Sequence, residues 1–182
     1  FSFPFSVTMY TLIMLTEQQK KYLAKIPEDR IVNIQPWDPN AADFAKGLMD
    51  EIHKLSSLEV FWEGSLALGI PGENDIDLYI FSEPRDFKKY LPDIIQILGD
   101  PTFILKEKIL WRVKKAGHKI DASLISSDSQ TVKQDKLFYS LLSENPDLLK
   151  EYAALKKRGL TAREYYKRKN EFYNRVTGND SK

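Results

Sequence analysis

The period of the hydrophobic pattern changes along the chain, and each change marks an element. From Ala41 to Leu55 the apolar residues Phe44, Leu48, Ile52 and Leu55 recur every three or four positions, the spacing of one helix stripe. Trp37-Asp38-Pro39-Asn40 ahead of it is turn chemistry, with Asp38 or Asn40 as cap. Earlier, Thr16 followed by Gln19 has capping-box form and predicts a short helix to about Lys25, stopped by Pro27. Arg30 to Ile34 predicts a short strand. Leu58 to Glu63 predicts the first core strand, Leu66 to Ile70 a helical turn, and Pro71-Gly72-Glu73-Asn74 a loop. Asp75 to Phe81 then reads as a strand with apolar residues on both faces beyond the aspartates, the pattern of a central strand covered on both sides. A helix from Glu83-Pro84 runs through Phe87, Tyr90, Ile94 and Leu98, with Pro92 predicting a kink or restart.

Two strands follow, Phe103 to Lys114 and Gly117 to Ile125. In the second, Ile120, Ala122 and Leu124 alternate with Lys119, Asp121 and Ser123, so Asp121 shares a face with Lys119, opposite the apolar set. After Ser129 the period is helical to the end. One helix stops at Asn145-Pro146, a second is closed by Gly159, and a third is capped by Thr161. The pattern predicts an α+β protein: a mixed β-sheet core over residues 16–128 with flanking helices, and a C-terminal helical segment, residues 129–182, packed on the same domain. Residues 1–15 form an apolar N-terminal extension. It is too short and Pro-interrupted to span a membrane and lacks the basic start and cleavage site of a secretory signal. It reads either as an extension ahead of Met9 or Met14 or as a strand packing on the domain or on a second copy.

Composition narrows the chemistry. The net charge is +1 with 29% charged residues, which does not indicate a nucleic-acid binder or a membrane-surface protein. Cysteine is absent, which removes disulfides, thiolate metal sites and a Cys nucleophile and fits a cytoplasmic location. With only His53 and His118, the sequence argues against a multi-His zinc site, and His53 lies off its helix stripe as a surface residue.

The candidate chemistry lies between Phe61 and Phe81. Asp75 and Asp77 leave one face of their strand, roughly 6.5–7 Å apart along the backbone. Two carboxylates so placed repel unless a cation lies between them, and their oxygens are the hard ligands Mg²⁺ prefers. Upstream, Gly64 lets backbone approach a ligand closely, and Ser65 offers a hydroxyl and an N–H, a place for a phosphate beside a metal.

Gly64-Ser65, a short loop and Asp75-Ile76-Asp77 together resemble the signature of the nucleotidyltransferase, or polymerase-beta-like, superfamily. The resemblance implies a third carboxylate on a later strand, and Asp121 is its candidate. A closer resemblance, over about residues 31–176, is to the GrpB-like branch. It rests on Trp37-Asp38-Pro39, Gly64-Ser65 with Pro71-Gly72, Tyr152-Ala153-Ala154-Leu155-Lys156, and Tyr166 to Phe172 with Lys169. The chain departs from that branch in the spacing of its Pro-Gly and in lacking a following Lys-Pro stretch. It also keeps both aspartates where many members carry only the second. Residues 150–175 hold nine basic and three acidic residues; most read as a solvated helix face, while the resemblance marks Lys156 and Lys169 as phosphate ligands.

The superfamily resemblance implies a nucleotidyltransferase. Asp75, Asp77 and Asp121 would hold Mg²⁺ or Mn²⁺. Gly64, Ser65, Lys156 and Lys169 would hold a nucleoside triphosphate, expected to be ATP, and a hydroxyl acceptor would take the nucleoside monophosphate. A non-catalytic nucleotide- or partner-binding module stays open, as does an antitoxin-like minimal nucleotidyltransferase that modifies a partner protein.

Overall fold

A computed structural model describes residues 15–178. The apolar extension before residue 15 lies outside the described residues. Helix α1 (Glu17–Ala24) has the full capping box between Thr16 and Gln19. Helix α2 (Pro39–Ser56) is capped by Asp38, with Pro39 in its first turn, where a missing N–H costs nothing. Strand β1 (Val60–Glu63) passes directly into the one-turn helix α3 (Gly64–Ala67). Strand β2 (Ile76–Phe81) follows the loop, so Asp75 stands one residue before it. A short 3₁₀ turn leads into α4 (Phe87–Leu98), which runs through Pro92 without restarting.

Strands β3 (Phe103–Ile104), β4 (Lys108–Lys115) and β5 (His118–Ile125) complete the sheet. Helices α5 (Gln130–Glu144), α6 (Pro146–Ala154) and α7 (Ala162–Thr177) follow. The fold is α+β, with a five-stranded mixed sheet in the order β1-β2-β5-β4-β3. The β2–β5 pair is parallel and the others antiparallel.

Two expectations are corrected. Residues 30–34 form no strand. Ile31 makes a single bridge to Thr161, and Val32 N–H donates to Leu160 O, so the segment lies against the loop before α7 and not beside a sheet strand. The strand expected from Phe103 to Lys114 is two strands. Lys106-Glu107 forms the turn between them, closed by the Leu105 N–H to Lys108 O bond of 2.9 Å.

The two faces of the sheet are chemically unlike. On one, Ile76, Leu78 and Ile80 of β2, Ile120, Ala122 and Leu124 of β5, and Ile109 and Trp111 of β4 are all buried. They pack with Ala41, Ala45, Leu48 and Ile52 of α2 and Ile94, Ile97 and Leu98 of α4 in one core cluster. Trp111 is fully buried, and its Nε1–H donates to Gly99 O at 2.9 Å, satisfying the polar end of the ring. The opposite face carries the polar row described below. It is covered at its β1 side by α5, where Phe81, Ile125 and Val132 form a small cluster with Phe61 and Tyr79. A further cluster of Ile70, Phe138, Leu142, Tyr152 and Phe172 binds the three C-terminal helices to the segment after α3. Among the described residues no helix is long and apolar enough to cross a membrane.

The core assignment predicts a contrast. Trp111→Ala removes a fully buried ring and is expected to destabilise the protein by about 3–5 kcal/mol. Leu105→Ala, at a side chain that is 49% exposed, is expected to stay within about 0.5 kcal/mol. Urea unfolding of the two variants checks it.

Candidate active site

The register of four strands draws a line of charge across the polar face. Glu63 on β1 pairs with Asp77 on β2, Asp77 with Asp121 on β5, and Asp121 with Arg112 on β4. Directly cross-strand residues share a face, so these four side chains form one row. Asp75 lies two residues before Asp77, and Lys119 two before Asp121, placing both on the same face one step along. The structure thus brings Asp75, Asp77 and Asp121 to one end of one face. Burial raises the pKa of all three; for Asp77, with Asp121 and Asp75 adding to the effect, it reaches about 7.

Two of the aspartates hold basic partners. The Lys119 ammonium stands 3.4 Å from Asp75 Oδ1, and the Arg112 guanidinium 3.3 Å from Asp121 Oδ2. Among the described residues no three His, Cys, Asp or Glu side chains stand grouped as a ready metal site. The donor set nevertheless fits a hard divalent cation. It consists of carboxylates on one face, and the buried Asp75 Oδ1 has only the 3.4 Å ion pair with Lys119 and no hydrogen bond. An ion bound there would compete with Lys119 and Arg112 for the same carboxylates.

Gly64 and Ser65 stand against these carboxylates. Gly64 has φ +82°, and a Cβ there would overlap the Asp77 carboxylate oxygen, so the position is closed to any other residue on two grounds. The loop beyond is tied down from the N-terminal side. Gln35 and Gly72 exchange both backbone hydrogen bonds, at 2.7 and 3.0 Å. Trp37 Nε1–H donates to Leu66 O at 2.9 Å, and Asn74 Nδ2–H to Pro36 O at 2.9 Å. Gly72 lies so close to Ser65 that a Cβ would come within 2.7 Å of it. This is the physical use of the Trp-Asp-Pro and Pro-Gly segments: they brace the turn that carries Ser65.

The C-terminal helices bring the two lysines. Lys156 is buried at 7% exposure. Its ammonium donates to Ser65 Oγ at 2.6 Å and to Tyr165 OH at 2.9 Å, and it stands 4.6 Å from the centre of the Tyr152 ring. Burial, with Lys169 nearby, pulls its pKa down to about 7. Lys169 is held charged, well above its ordinary range, by surrounding phenols, Tyr152 foremost, and by Asp77. Lys150, Lys157, Arg158, Lys167 and Arg175 are exposed, as a solvated helix face requires. A polar cleft of about 150 Å³ contains Ser65, Asp75, Asp77, Asp121 and Lys169, with Tyr165 and Tyr166 on its far wall. Lys156 reaches this cleft through Ser65.

Sequence reasoning missed Glu63, whose pKa is raised to about 8 by burial and by Asp135 and Asp77. Its position next to Gly64 was the available signal. It also missed a second cavity of about 230 Å³, which shares Asp77 and Lys169 with the first and is walled by Phe138, Tyr139, Tyr152 and Tyr173. There Asp135 accepts hydrogen bonds from Tyr79 OH at 2.6 Å and Tyr173 OH at 2.9 Å.

No protein-family model matches the sequence, and no curated protein does. Among solved structures, conserved protein GrpB from Enterococcus faecalis superposes with a TM-score of 0.64 at 16% identity, over 81% of this chain and 96% of that one. The chain has the GrpB fold. Cid1, described as an RNA terminal uridylyl transferase, matches at 14% identity and TM-score 0.44, over 75% of this chain and 46% of its own. Polymerase beta from Leishmania infantum matches at 15% identity and TM-score 0.40, over 78% of this chain and 58% of its own. The GrpB match extends over nearly the whole of that protein, so the sheet and its surrounding helices constitute the shared fold. That fold is the α+β arrangement, a mixed sheet with flanking helices, expected from the strand and helix pattern.

The buried Lys156 makes a pH-dependent prediction. The unfolded chain keeps a lysine proton to about pH 10.4, while the folded side chain releases it near pH 7. Between those values the unfolded state binds more protons, so this group's contribution to stability rises with pH. Relative to Lys156→Met, which fills similar volume without a charge, the wild type is expected to gain up to about 1.4 kcal/mol per pH unit from pH 7 to 9.5. Urea unfolding of both proteins across that range measures the difference.

Proposed function

We propose that the protein is a nucleotidyltransferase: it moves a nucleoside monophosphate from a nucleoside triphosphate, with ATP the expected donor, to an acceptor hydroxyl. The observation that carries the reading is the row of Asp75, Asp77 and Asp121 facing Ser65 and Lys169 in one cleft. Carboxylates and cations side by side suit a reaction whose catalysis is mostly positioning and charge neutralisation. Mg²⁺ or Mn²⁺ held by the three aspartates would neutralise phosphate charge and lower the pKa of a bound hydroxyl.

The chain's own residues do the rest. Ser65 and Lys156 hold the outer phosphates, with the Ser65 hydroxyl fixed in direction by the lysine. Lys169 places its charge beside Asp77, where the transferred phosphorus would stand. The aromatic cavity behind it suits a base, since every base offers a face for stacking. The acceptor oxygen bonds to the α-phosphorus, and its proton passes to Asp121. The bond from the α-phosphorus to the bridging oxygen breaks, and pyrophosphate leaves.

One observation favours a second reading, a non-catalytic nucleotide- or partner-binding module. Asp75 and Asp121 already have basic partners in Lys119 and Arg112, so the aspartates tolerate one another without an ion. A modifier of a partner protein would use the same chemistry with a protein hydroxyl as acceptor.

Incubating the protein with each labelled nucleoside triphosphate, Mg²⁺ and a cell extract separates these readings. Labelled product is expected. Asp77→Asn is expected to reduce it by about 10²–10³-fold while the far-ultraviolet circular dichroism is unchanged, and chelation of divalent ions is expected to abolish it. Nucleotide binding without any labelled product would favour the module.

A further inference from the structure

Asp75 and Asp121 line two cavities. One is the cleft with Ser65 and Lys169; the other, of about 300 Å³, opens toward β4 and is edged by Arg112, Lys114 and Lys119. That volume is at the small end of small-molecule sites. The strands explain why the cations gather there. Arg112 and Lys114 alternate outward along β4, Lys114 pairs in register with Lys119, and Arg112 pairs with Asp121. Neither Arg112, at 64% side-chain exposure, nor Lys119, at 54%, contributes to the core.

We infer that this second cavity holds the acceptor, and that the acceptor carries a phosphate group close to its reacting hydroxyl. The assignment rests on the nucleotidyl-transfer reading and gives that reaction its second substrate. Triphosphate and acceptor must meet at the carboxylates from different directions, and Asp75 and Asp121 line both this cavity and the cleft with Ser65. The cavity beside Ser65 and the lysines of α6 and α7 suits the triphosphate, which leaves the β4 side for the acceptor.

Charge then specifies the chemistry. Three cations face two carboxylates in this cavity. Two of the cations spend their charge on Asp75 and Asp121 in the free protein, and among the described residues Lys114 makes no ion pair. A cation at those carboxylates would compete with Arg112 and Lys119 for them, and all three basic groups line one open pocket. A phosphate satisfies them: the guanidinium offers a planar fork for two oxygens, and the ammonium groups act as point charges. An uncharged alcohol would leave them unpaired.

The test is a binding measurement on the full chain saturated with Mg²⁺ and an ATP analogue carrying a methylene bridge between the α and β phosphorus. The analogue fills the triphosphate cleft and cannot react. Calorimetric titrations then use three probes: glycerol 3-phosphate, a short single-stranded RNA ending in a 3′-hydroxyl, and glycerol.

At least one phosphate-bearing probe is expected to bind, and glycerol is not. Lys114→Glu is expected to weaken that probe by about tenfold or more, Lys114→Arg to retain it, and both variants to hold the analogue as the wild type does. Tighter binding of the RNA identifies a polynucleotide end as acceptor, and tighter binding of glycerol 3-phosphate identifies a small phosphorylated alcohol. Binding of the analogue without either phosphate probe, or phosphate binding indifferent to Lys114→Glu, overturns the acceptor assignment alone. Failure of the analogue to bind the wild type overturns the nucleotidyl-transfer reading, and the acceptor assignment with it.

Discussion

The register between β2 and β5 is the constraint on which the site depends. Asp77 and Asp121 come from strands more than forty residues apart in sequence, and they stand level only because Ile76 pairs with Ile120 and Leu78 with Ala122. Those apolar pairs face a core that includes Trp111, Ile52 and Ile94. A one-residue slip would turn an entire strand face from core to solvent, so burial of the back of the sheet specifies the alignment of carboxylates on the front. The hydrophobic layer thereby carries the cost of holding acids together: burial and mutual repulsion oppose their ionisation, while Lys119, Arg112 and Lys169 oppose that effect with charge.

The rest of the chain converges on the turn between β1 and β2. From the N-terminal side, Gln35, Pro36 and Trp37 bond to Gly72, Asn74 and Leu66. From the C-terminal side, Lys156 bonds to Ser65, and Tyr166 OH donates to Glu73 Oε2 at 3.2 Å. Helix α1 is held to α7 by paired amide bonds between Gln19 and Asn174, at 3.0 and 2.9 Å. The short loop that carries Ser65 is thus clamped by elements distant in sequence. The two lysines divide their roles through the same packing. Lys169 keeps its charge among tyrosines and Asp77, whereas burial and the nearby Lys169 charge make Lys156 give up its proton more readily.

Much of this was legible in the residues. Period two placed Asp75 with Asp77 and Asp121 with Lys119, and caps at Thr16, Asp38 and Thr161 marked helix starts that the structure retains. What failed depended on partners distant in sequence. Residues 30–34 have strand-like composition, yet a strand needs a neighbour, and the segment lies against the loop before α7. The polar pair Lys106-Glu107 was the missed sign of a turn within an otherwise apolar run. Whether Asp121 would stand level with Asp77 could not be read from either strand alone, because period two fixes a face and not a register. Glu63 and Arg112 join the row for the same reason, through pairings that only the folded sheet creates. The enclosure of Lys156 by Tyr152 and Tyr165 needs two helices packed together before it exists.

The proposed reaction requires Asp75, Asp77 and Asp121 to act together as the seat of a divalent cation in the presence of nucleotide. Titrating Mn²⁺ with ATP into isotope-labelled protein and following paramagnetic broadening of backbone amide resonances addresses it residue by residue. Broadening is expected to centre on residues 75–77 and 119–121 and to extend to Gly64 and Ser65, with Asp121→Asn reducing it at all of them. Broadening that spares these residues, or that is the same in Asp121→Asn as in the wild type, would show that the three aspartates do not bind the cation together.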